Sequence, residues 1–223
     1  TDKAYAQKME SLQPQRSPAL PECIPTQSST SPLHSSDRPY LFPSSGQFNP
    51  SQVFILRHGE RSDQYPFRGL PFDLPHDSSL STHGHLQALK SAERLRELID
   101  AGSSIHLVSS PFLRCLETAA PIASVFKVPI RIEESFGEWL KSRMFDECPF
   151  DSLPHKAKSA EDMLRITSGQ EWIVNESSLR PSFPENLDEG YDRFMRAFNE
   201  YIPKVQEDVL IIVSHCLLTE VIG

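Results

Sequence analysis

VFILRHGER, residues 53–61, is the stretch that decides the fold. Its apolar run, Val53 to Leu56, has the length and composition of a short strand that is buried on both faces, as in a parallel sheet. Arg57 and His58 follow directly and therefore stand where this strand ends. Because ligands of open parallel sheets bind beyond the carboxyl ends of the strands, the stretch predicts a strand that carries an arginine and a histidine into a functional site.

The segments downstream alternate between helical and strand patterns. Apolar residues at helical spacing predict helices over residues 81–101, ended by Gly102, and over residues 187–201. A further helix opens at Ser109-Ser110-Pro111, and Pro121 is expected to end or kink it. Apolar runs predict the strands, over residues 105–108, 129–133 and 209–213. This order implies a three-layer α/β/α fold with a mostly parallel sheet.

The first 50 residues differ from the rest of the chain, because serine, threonine, glutamine and proline stand where periodic apolar residues would be needed. Such a segment cannot bury enough surface to offset its loss of conformational entropy. We therefore expect a disordered arm over residues 1–50 and one domain over residues 51–223. Pro18-Ala19-Leu20-Pro21 is a PxxP pattern that could act as an SH3-type ligand, with a plain linker as the ordinary alternative.

The composition restricts the possible functions. The formal net charge of −8 argues against broad binding to nucleic acids or anionic membranes, which are polyanions themselves. No apolar run approaches the ~20 residues that a membrane span needs. The four cysteines stand far apart without a CxxC pair, so neither a disulfide framework nor a structural zinc site is predicted, and a reducing cytoplasmic setting fits best. No P-loop or dinucleotide-binding glycine pattern occurs, so no cofactor is predicted.

Polar residues follow four separate strands of the predicted sheet. Arg57 and His58 end the first strand, Arg114 follows the second, Glu138 follows the third, and His215 ends the last. Because the carboxyl ends of parallel strands meet at one edge of a sheet, these side chains are expected to converge there.

Phosphoryl transfer explains this choice of residue types. Arginines are permanently charged donors that match phosphate oxygens, and each charge-assisted bond contributes roughly 1.5–3 kcal/mol. A neutral imidazole at His58 could attack phosphorus and form a phosphohistidine that water later hydrolyses. Glu138 could protonate the leaving oxygen, and a protonated His215 would add a donor to the phosphoryl group.

Other phosphatase chemistries lack their residues. A cysteine-dependent tyrosine phosphatase needs Cys-x5-Arg, and no cysteine here has an arginine six residues later. A metallophosphatase needs clustered aspartate and histidine ligands, whereas His83-Gly84-His85 has no carboxylate partner nearby in the sequence. No metal site is therefore predicted.

Four ordered motifs resemble those of the histidine phosphatase superfamily, also called phosphoglycerate mutase-like. Residues 56–61, LRHGER, resemble its strand-borne Arg-His-Gly, and residues 80–88, LSTHGHLQA, resemble its Leu-Thr-x-x-Gly-x-x-Gln-Ala helix start. Residues 109–119, SSPFLRCLETA, are similar to its Ser-Pro-x-x-Arg-x-x-x-Thr-Ala segment, and residues 211–215, IIVSH, to its second-histidine strand. The resemblance covers about residues 52–220 and implies a phosphoglycerate mutase-like fold.

The resemblance also implies a role for each site residue. His58 would accept the phosphate and Glu138 would donate the proton, and the phosphate pocket would consist of Arg57, Arg61, Arg114 and His215. The expected substrate is a phosphorylated protein or small molecule, and residues 140–180, which have no clear period, would form the cap over the pocket.

Within the superfamily, two segments look most like the phosphatase domain of the ubiquitin-associated and SH3 domain-containing proteins. These are Gly-Glu-Arg-x-Asp at residues 59–63 and Phe-Gly-Glu-Trp at residues 136–139. That resemblance implies action on phosphotyrosine and other phosphomonoesters. Phosphoglycerate mutases usually carry Arg-His-Gly-Glu-Ser with a nearby Trp-Asn, which residues 62–64 lack, so a phosphatase is predicted rather than a mutase.

Two departures from the family pattern support an alternative function. Cys216 and Leu217 follow His215 where the family generally has small residues, and their size would crowd the pocket. The family also continues with a helix and usually another strand, whereas eight residues remain here, so we expect a core that is shortened at its C-terminal end. The alternative is a catalytically weak or inactive phosphatase-like domain that serves as a binding or scaffold module.

Overall fold

The computed structural model describes residues 50–64, 76–176 and 179–222. Apart from Pro50, the predicted arm with its PxxP pattern lies outside the described residues. The strands are β1 (Gln52–Arg57), β2 (Ile105–Ser109), β3 (Ile130–Ile132), β4 (Trp172–Val174) and β5 (Val209–Ser214). The helices are α1 (Thr82–Leu98), α2 (Leu113–Phe126), α3 (Pro154–Ala157), α4 (Ala160–Ile166), α5 (Leu187–Tyr201) and α6 (Cys216–Ile222). No helix among these residues is both long and apolar enough to cross a membrane.

The five strands form one sheet in the order β1-β5-β2-β3-β4, and every pairing is parallel. β5 is buried along its whole length, and its side chains alternate between two apolar clusters. One cluster joins Ile211 and Val213 to α1 and α2, and the other joins Leu210 and Ile212 to α5 and α6. The predicted three-layer α/β/α fold with a parallel sheet is confirmed.

The prediction that β1 is buried on both faces is wrong. The strand is partly exposed along its length, with Val53 38% accessible, because it lies at the edge of the sheet formed by the described residues. It pairs with β5, and its apolar residues are only partly buried, Phe54 and Leu56 against one cluster and Ile55 against the other. An apolar run alone does not distinguish an inner strand from an edge strand.

The helix after β2 begins later than predicted and continues past Pro121. It begins at Leu113 rather than within residues 109–111, because the buried carboxylate of Asp77 accepts the Leu113 backbone N–H at 2.8 Å. Pro121 lies inside the helix and does not end it. A proline inside a helix costs about 3 kcal/mol, and we attribute its tolerance to the complete burial of neighbours such as Ile122 and Ala123.

Residues 140–180 contain regular structure that the sequence did not reveal. They hold α3, α4 and the three-residue strand β4, which pairs with β3 at the other edge of the sheet. Elements this short show no readable period. Phe145 and Phe150 from this segment are buried against the ring of Phe112, so the segment contributes to the core.

Leu217, the residue after Cys216, does not crowd the site, contrary to the expectation from the sequence. Leu217 belongs to the apolar cluster of α5 and α6 and is 6% exposed. It packs over Gly190 of α5, where an added Cβ would lie 3.1 Å from a Leu217 methyl carbon. The size of Leu217 is therefore accommodated by a glycine on the neighbouring helix.

Candidate functional site

Backbone hydrogen bonds bring the ends of three strands together. The His58 N–H donates to the Ser214 carbonyl at 3.0 Å, and the Ser110 N–H donates to the Val213 carbonyl at 2.9 Å. The residues that follow β1, β5 and β2 are thereby neighbours. This is the convergence at the carboxyl edge that the sequence predicts.

His58 is oriented by its own loop. Its Nδ1 lies 2.8 Å from the Gly59 carbonyl oxygen, which can only accept, so Nδ1 carries the proton and the Nε2 lone pair of the neutral ring is free. The imidazole is 8% exposed. Burial, followed by the nearby His215 and Arg114, lowers the pKa of His58 to about 2. The ring is therefore neutral near pH 7 and available as a nucleophile.

The loop that carries His58 is held by a close approach of two glycines. A Cβ on Gly59 would lie 2.6 Å from the Gly84 carbonyl oxygen, and one on Gly84 would lie 2.2 Å from the Glu60 carbonyl oxygen. The Gly59 N–H also donates to the Thr118 hydroxyl at 3.1 Å. The first turn of α1 and the middle of α2 thus fix the loop between them.

Arg114, Glu138 and His215 form a tight cluster next to His58. Arg114 Nη2 lies 3.0 Å from Glu138 Oε2 and 3.3 Å from His215 Nδ1, and this nitrogen of His215 lies 3.1 Å from Glu138 Oε2. The rings of His58 and His215 meet edge to face with centroids 5.3 Å apart. The side chains of Arg114 and His215 are fully buried. Four of the predicted site residues are therefore in one cluster.

Glu138 is held as a carboxylate when no ligand is present. Burial opposes its charge and is the largest single influence on its pKa. His215, Arg114 and His58 together outweigh burial and hold the pKa of Glu138 well below its ordinary value. A role as proton donor therefore requires a change in this environment.

His215 is fixed from both sides. The Ser110 hydroxyl lies 2.8 Å from its Nε2, and the Phe112 ring meets it edge to face at 5.1 Å between centroids. Burial is the main reason that the pKa of His215 is lowered, to about 4, although Glu138 acts in the opposite direction. Without a bound anion the ring is neutral near pH 7, so the protonated donor expected from the sequence would require an anion to raise this pKa.

Asp77 is a residue of this site that sequence reasoning missed. Its Oδ1 lies 3.5 Å from Arg114 Nη1, and both side chains are completely buried. Burial raises the pKa of Asp77 to about 6, with Arg114 opposing the rise. Arg114 Nε and Nη1 are buried and make no hydrogen bond within the described part of the chain, so Nη2 is the nitrogen that faces the cluster. No periodic pattern surrounds Asp77, and its role depends on a contact 36 residues away.

The other two predicted arginines lie outside this cluster. Arg57 is exposed at the end of β1 and forms no ion pair with residues that the structure describes. Arg61 is paired with Asp63 through two nitrogens and donates to the Ser78 hydroxyl at 3.1 Å. A place for either arginine in a phosphate pocket stays a prediction.

His58, Glu138 and His215 also present donor atoms that lie within 4.8 Å of one another. Two imidazoles and a carboxylate are a ligand set that suits transition metals. The Arg114 guanidinium, at 3.0 and 3.3 Å from two of these donors, opposes a cation at this position. The arrangement favours an anion, which can accept from Arg114 and lie opposite the His58 Nε2.

Residues 53–222 match the model of the histidine phosphatase superfamily (branch 1). The chain belongs to this superfamily. The match agrees with the strand-end histidines, the buried arginine and the carboxylate described above. It confirms the family prediction for the superfamily, and the narrower resemblance to the ubiquitin-associated and SH3 domain-containing proteins is not shown by it.

The proteins that match this chain have names that describe different roles. The transcription factor tau 55 kDa subunit of Saccharomyces cerevisiae is 30% identical in a 176-residue alignment that covers 73% of this chain and 38% of that protein. Among solved structures, YhfR of Bacillus stearothermophilus is 17% identical over 76% of each chain with a TM-score of 0.49. A mycobacterial glucosyl-3-phosphoglycerate phosphatase is 20% identical over 75% of this chain and 74% of its own, with a TM-score of 0.46.

Proposed function

We propose that this domain hydrolyses phosphomonoesters through a phosphohistidine on His58. The observation that carries the proposal is a buried, neutral imidazole whose Nε2 is free and which lies beside Arg114, Glu138 and His215. Membership of the histidine phosphatase superfamily supports the same reaction class.

In the first step, a phosphate ester accepts hydrogen bonds from Arg114, and His58 Nε2 attacks phosphorus. The N–P bond forms as the P–O bond to the leaving group breaks, and Glu138 gives its proton to the leaving oxygen. In the second step, Glu138 takes a proton from water, which attacks phosphorus and breaks the N–P bond. Inorganic phosphate leaves, and His58 returns to its neutral form with the proton still on Nδ1.

Glu138 becomes protonated when the substrate binds. A phosphate dianion competes with Glu138 for the Arg114 guanidinium, and its negative charge also disfavours a carboxylate beside it. Both effects raise the pKa of Glu138 from its depressed value, so the acid form appears when a leaving group needs protonation. The same charge raises the pKa of His215 and makes it a donor to the phosphoryl group.

The substrate class that we propose is phosphotyrosine or a related aryl phosphate, with small phosphorylated metabolites as the alternative. The proposal rests on the resemblance of residues 59–63 and 136–139 to a phosphotyrosine-hydrolysing group. A panel of phosphopeptides and sugar phosphates tests it. A kcat/KM that is higher for sugar phosphates than for phosphotyrosine peptides would contradict this assignment while leaving the reaction class intact.

The decisive experiment for the reaction class is rapid alkaline quenching with a ³²P-labelled phosphomonoester. Phosphohistidine is stable in alkali and labile in acid, so such label is expected in the wild type and absent from His58→Ala. His83→Ala, which removes an exposed histidine, is the matched control and should be labelled normally. Phosphate release by a folded His58→Ala protein at the wild-type rate would contradict the proposal.

We propose a binding or scaffold module as the second candidate. Arg114 and His215 are completely buried, which would slow substrate entry. The yeast relative is named as a subunit of a transcription factor, and this candidate would place the present domain in a larger assembly as well. Vanadate binding without phosphate release from any ester, by a folded wild-type protein, would favour this candidate over the enzyme.

A further inference from the structure

Arg193 on α5 and Glu185, just before this helix, form a buried two-point ion pair next to the segment that carries Glu138. Arg193 Nε lies 2.7 Å from Glu185 Oε1, and Nη2 lies 2.9 Å from Oε2. Their side chains are 6% and 2% exposed. A bidentate pair of this kind holds a planar guanidinium in one orientation.

The remaining donors of Arg193 bond to backbone carbonyls of Glu138 and of residues just before it. Nη1 donates to the carbonyl of Ser135 at 2.6 Å and to that of Gly137 at 3.1 Å, and Nη2 donates to the Glu138 carbonyl at 3.3 Å. One guanidinium therefore bridges three backbone carbonyls in four residues.

Glu185 holds the C-terminal side of the same segment. Its backbone N–H donates to the Leu140 carbonyl at 2.9 Å, and its carbonyl accepts the Trp139 indole N–H at 2.9 Å. The segment from residue 135 to residue 140 is thus bound at both ends by the Arg193–Glu185 pair, which we call the loop clamp.

We propose that the loop clamp positions the Glu138 carboxyl against the leaving group, an inference that rests on the proposed phosphohistidine reaction. Beyond the 3-10 turn Glu134–Phe136, the segment forms no helix or strand, so the bonds to Arg193 replace the missing backbone pairing. A displacement of about 1 Å in a positioned catalytic group can cost about 100-fold in rate.

An alternative role for the ion pair is to stabilise α5, but other contacts already stabilise this helix. Asn186 and Glu189 already form a capping box at the start of this helix. Phe194 and Phe198 anchor it in the core. The donors of Arg193 are directed at the neighbouring segment rather than at its own helix.

Arg193→Lys tests the proposal, because lysine keeps the charge but cannot bridge three carbonyls and a carboxylate at once. The measurement is kcat/KM, which reports phosphoryl transfer to His58, with phenyl phosphate and with 4-nitrophenyl phosphate. The poor leaving group needs the Glu138 proton and the nitrophenolate does not. We expect a loss of about 100-fold for phenyl phosphate and less than about threefold for 4-nitrophenyl phosphate, with unchanged vanadate affinity.

Asn186→Ala is the matched control, because it removes the cap of the same helix and leaves the loop clamp intact. It should lower the thermal midpoint without changing the ratio of the two kcat/KM values. An equal loss on both esters in Arg193→Lys, or no loss on either, overturns the proposal.

A second readout does not depend on turnover. In a Trp172→Phe background the remaining tryptophan, Trp139, adjoins Glu138 and reports the position of the segment through its fluorescence. We expect Arg193→Lys to shift the emission to longer wavelength and to raise acrylamide quenching. Unchanged emission overturns the loop clamp even if no ester is hydrolysed, whereas a shift with an inactive wild type overturns the proposed reaction and keeps the clamp.

Discussion

Replacing Arg114 with methionine removes the one guanidinium that lies against Glu138, His215 and Asp77. Arg114 Nη2 lies 3.0 Å from Glu138 Oε2 and faces the cluster, so a bound oxyanion can accept from it. A hydrogen bond to a charged group contributes about 1.5–3 kcal/mol. The expected loss of vanadate affinity is therefore about 10- to 10²-fold.

The assay is competition of vanadate against 4-nitrophenyl phosphate at pH 7, or calorimetric titration if turnover is too slow. Arg165→Met is the control, because this exposed arginine pairs with Glu161 on the surface of α4. Its vanadate affinity should equal that of the wild type. A folded Arg114→Met protein that binds vanadate within about threefold of the wild type would remove Arg114 from the anion site.

Three further predictions concern the proton donor, the glycine contact and the buried Asp77. Glu138→Gln should reduce kcat/KM by about 10²- to 10⁴-fold for phenyl phosphate and far less for 4-nitrophenyl phosphate, and equal losses would contradict a proton-donor role. Gly84→Ala should lower the free energy of unfolding in urea by about 1–3 kcal/mol, because its Cβ would lie 2.2 Å from the Glu60 carbonyl oxygen, whereas the exposed Lys90→Ala should change it little. The pKa of Asp77 is raised to about 6, so ionisation of its carboxyl destabilises the fold as pH rises from about 4 through 6. The difference in unfolding free energy between wild type and Asp77→Asn should therefore change by about 2–3 kcal/mol from pH 4 to pH 7.5. A difference that stays constant with pH would refute this.

The sequence predicted the residues that stand at strand ends. His58, Arg114 and His215 follow apolar runs, and parallel pairing brings the ends of such runs to one edge, so their proximity follows from topology. The sequence also predicted Glu138 at this edge, because Glu138 follows β3 along the chain. Arg57 also ends a strand, but it is exposed at the edge of the sheet, and its place in the site stays a prediction.

The residues that orient the site could not be found from periodicity alone. Asp77 has no pattern around it, and its role depends on the distant Leu113 N–H and Arg114. Arg193 did leave a signal, since it falls on the helix face of Phe194 and Ala197, where a charged residue requires a buried partner. The partner, Glu185, lies eight residues earlier and outside the helix, and only the fold shows that the two meet.

The electrostatics of the site favour an enzyme over a passive anion-binding module. A module that only binds phosphate needs donors, and a carboxylate next to its arginine would repel the ligand. Here Glu138 lies 3.0 Å from Arg114, and Asp77 lies 3.5 Å from the same guanidinium. Both carboxylates weaken the binding of an anion; Asp77 also accepts the Leu113 N–H at the start of α2, whereas a binding role alone gives no reason for Glu138. A reaction that moves a proton to a leaving oxygen requires one acid close to the phosphate, and the pairing with Arg114 makes its protonation depend on the substrate.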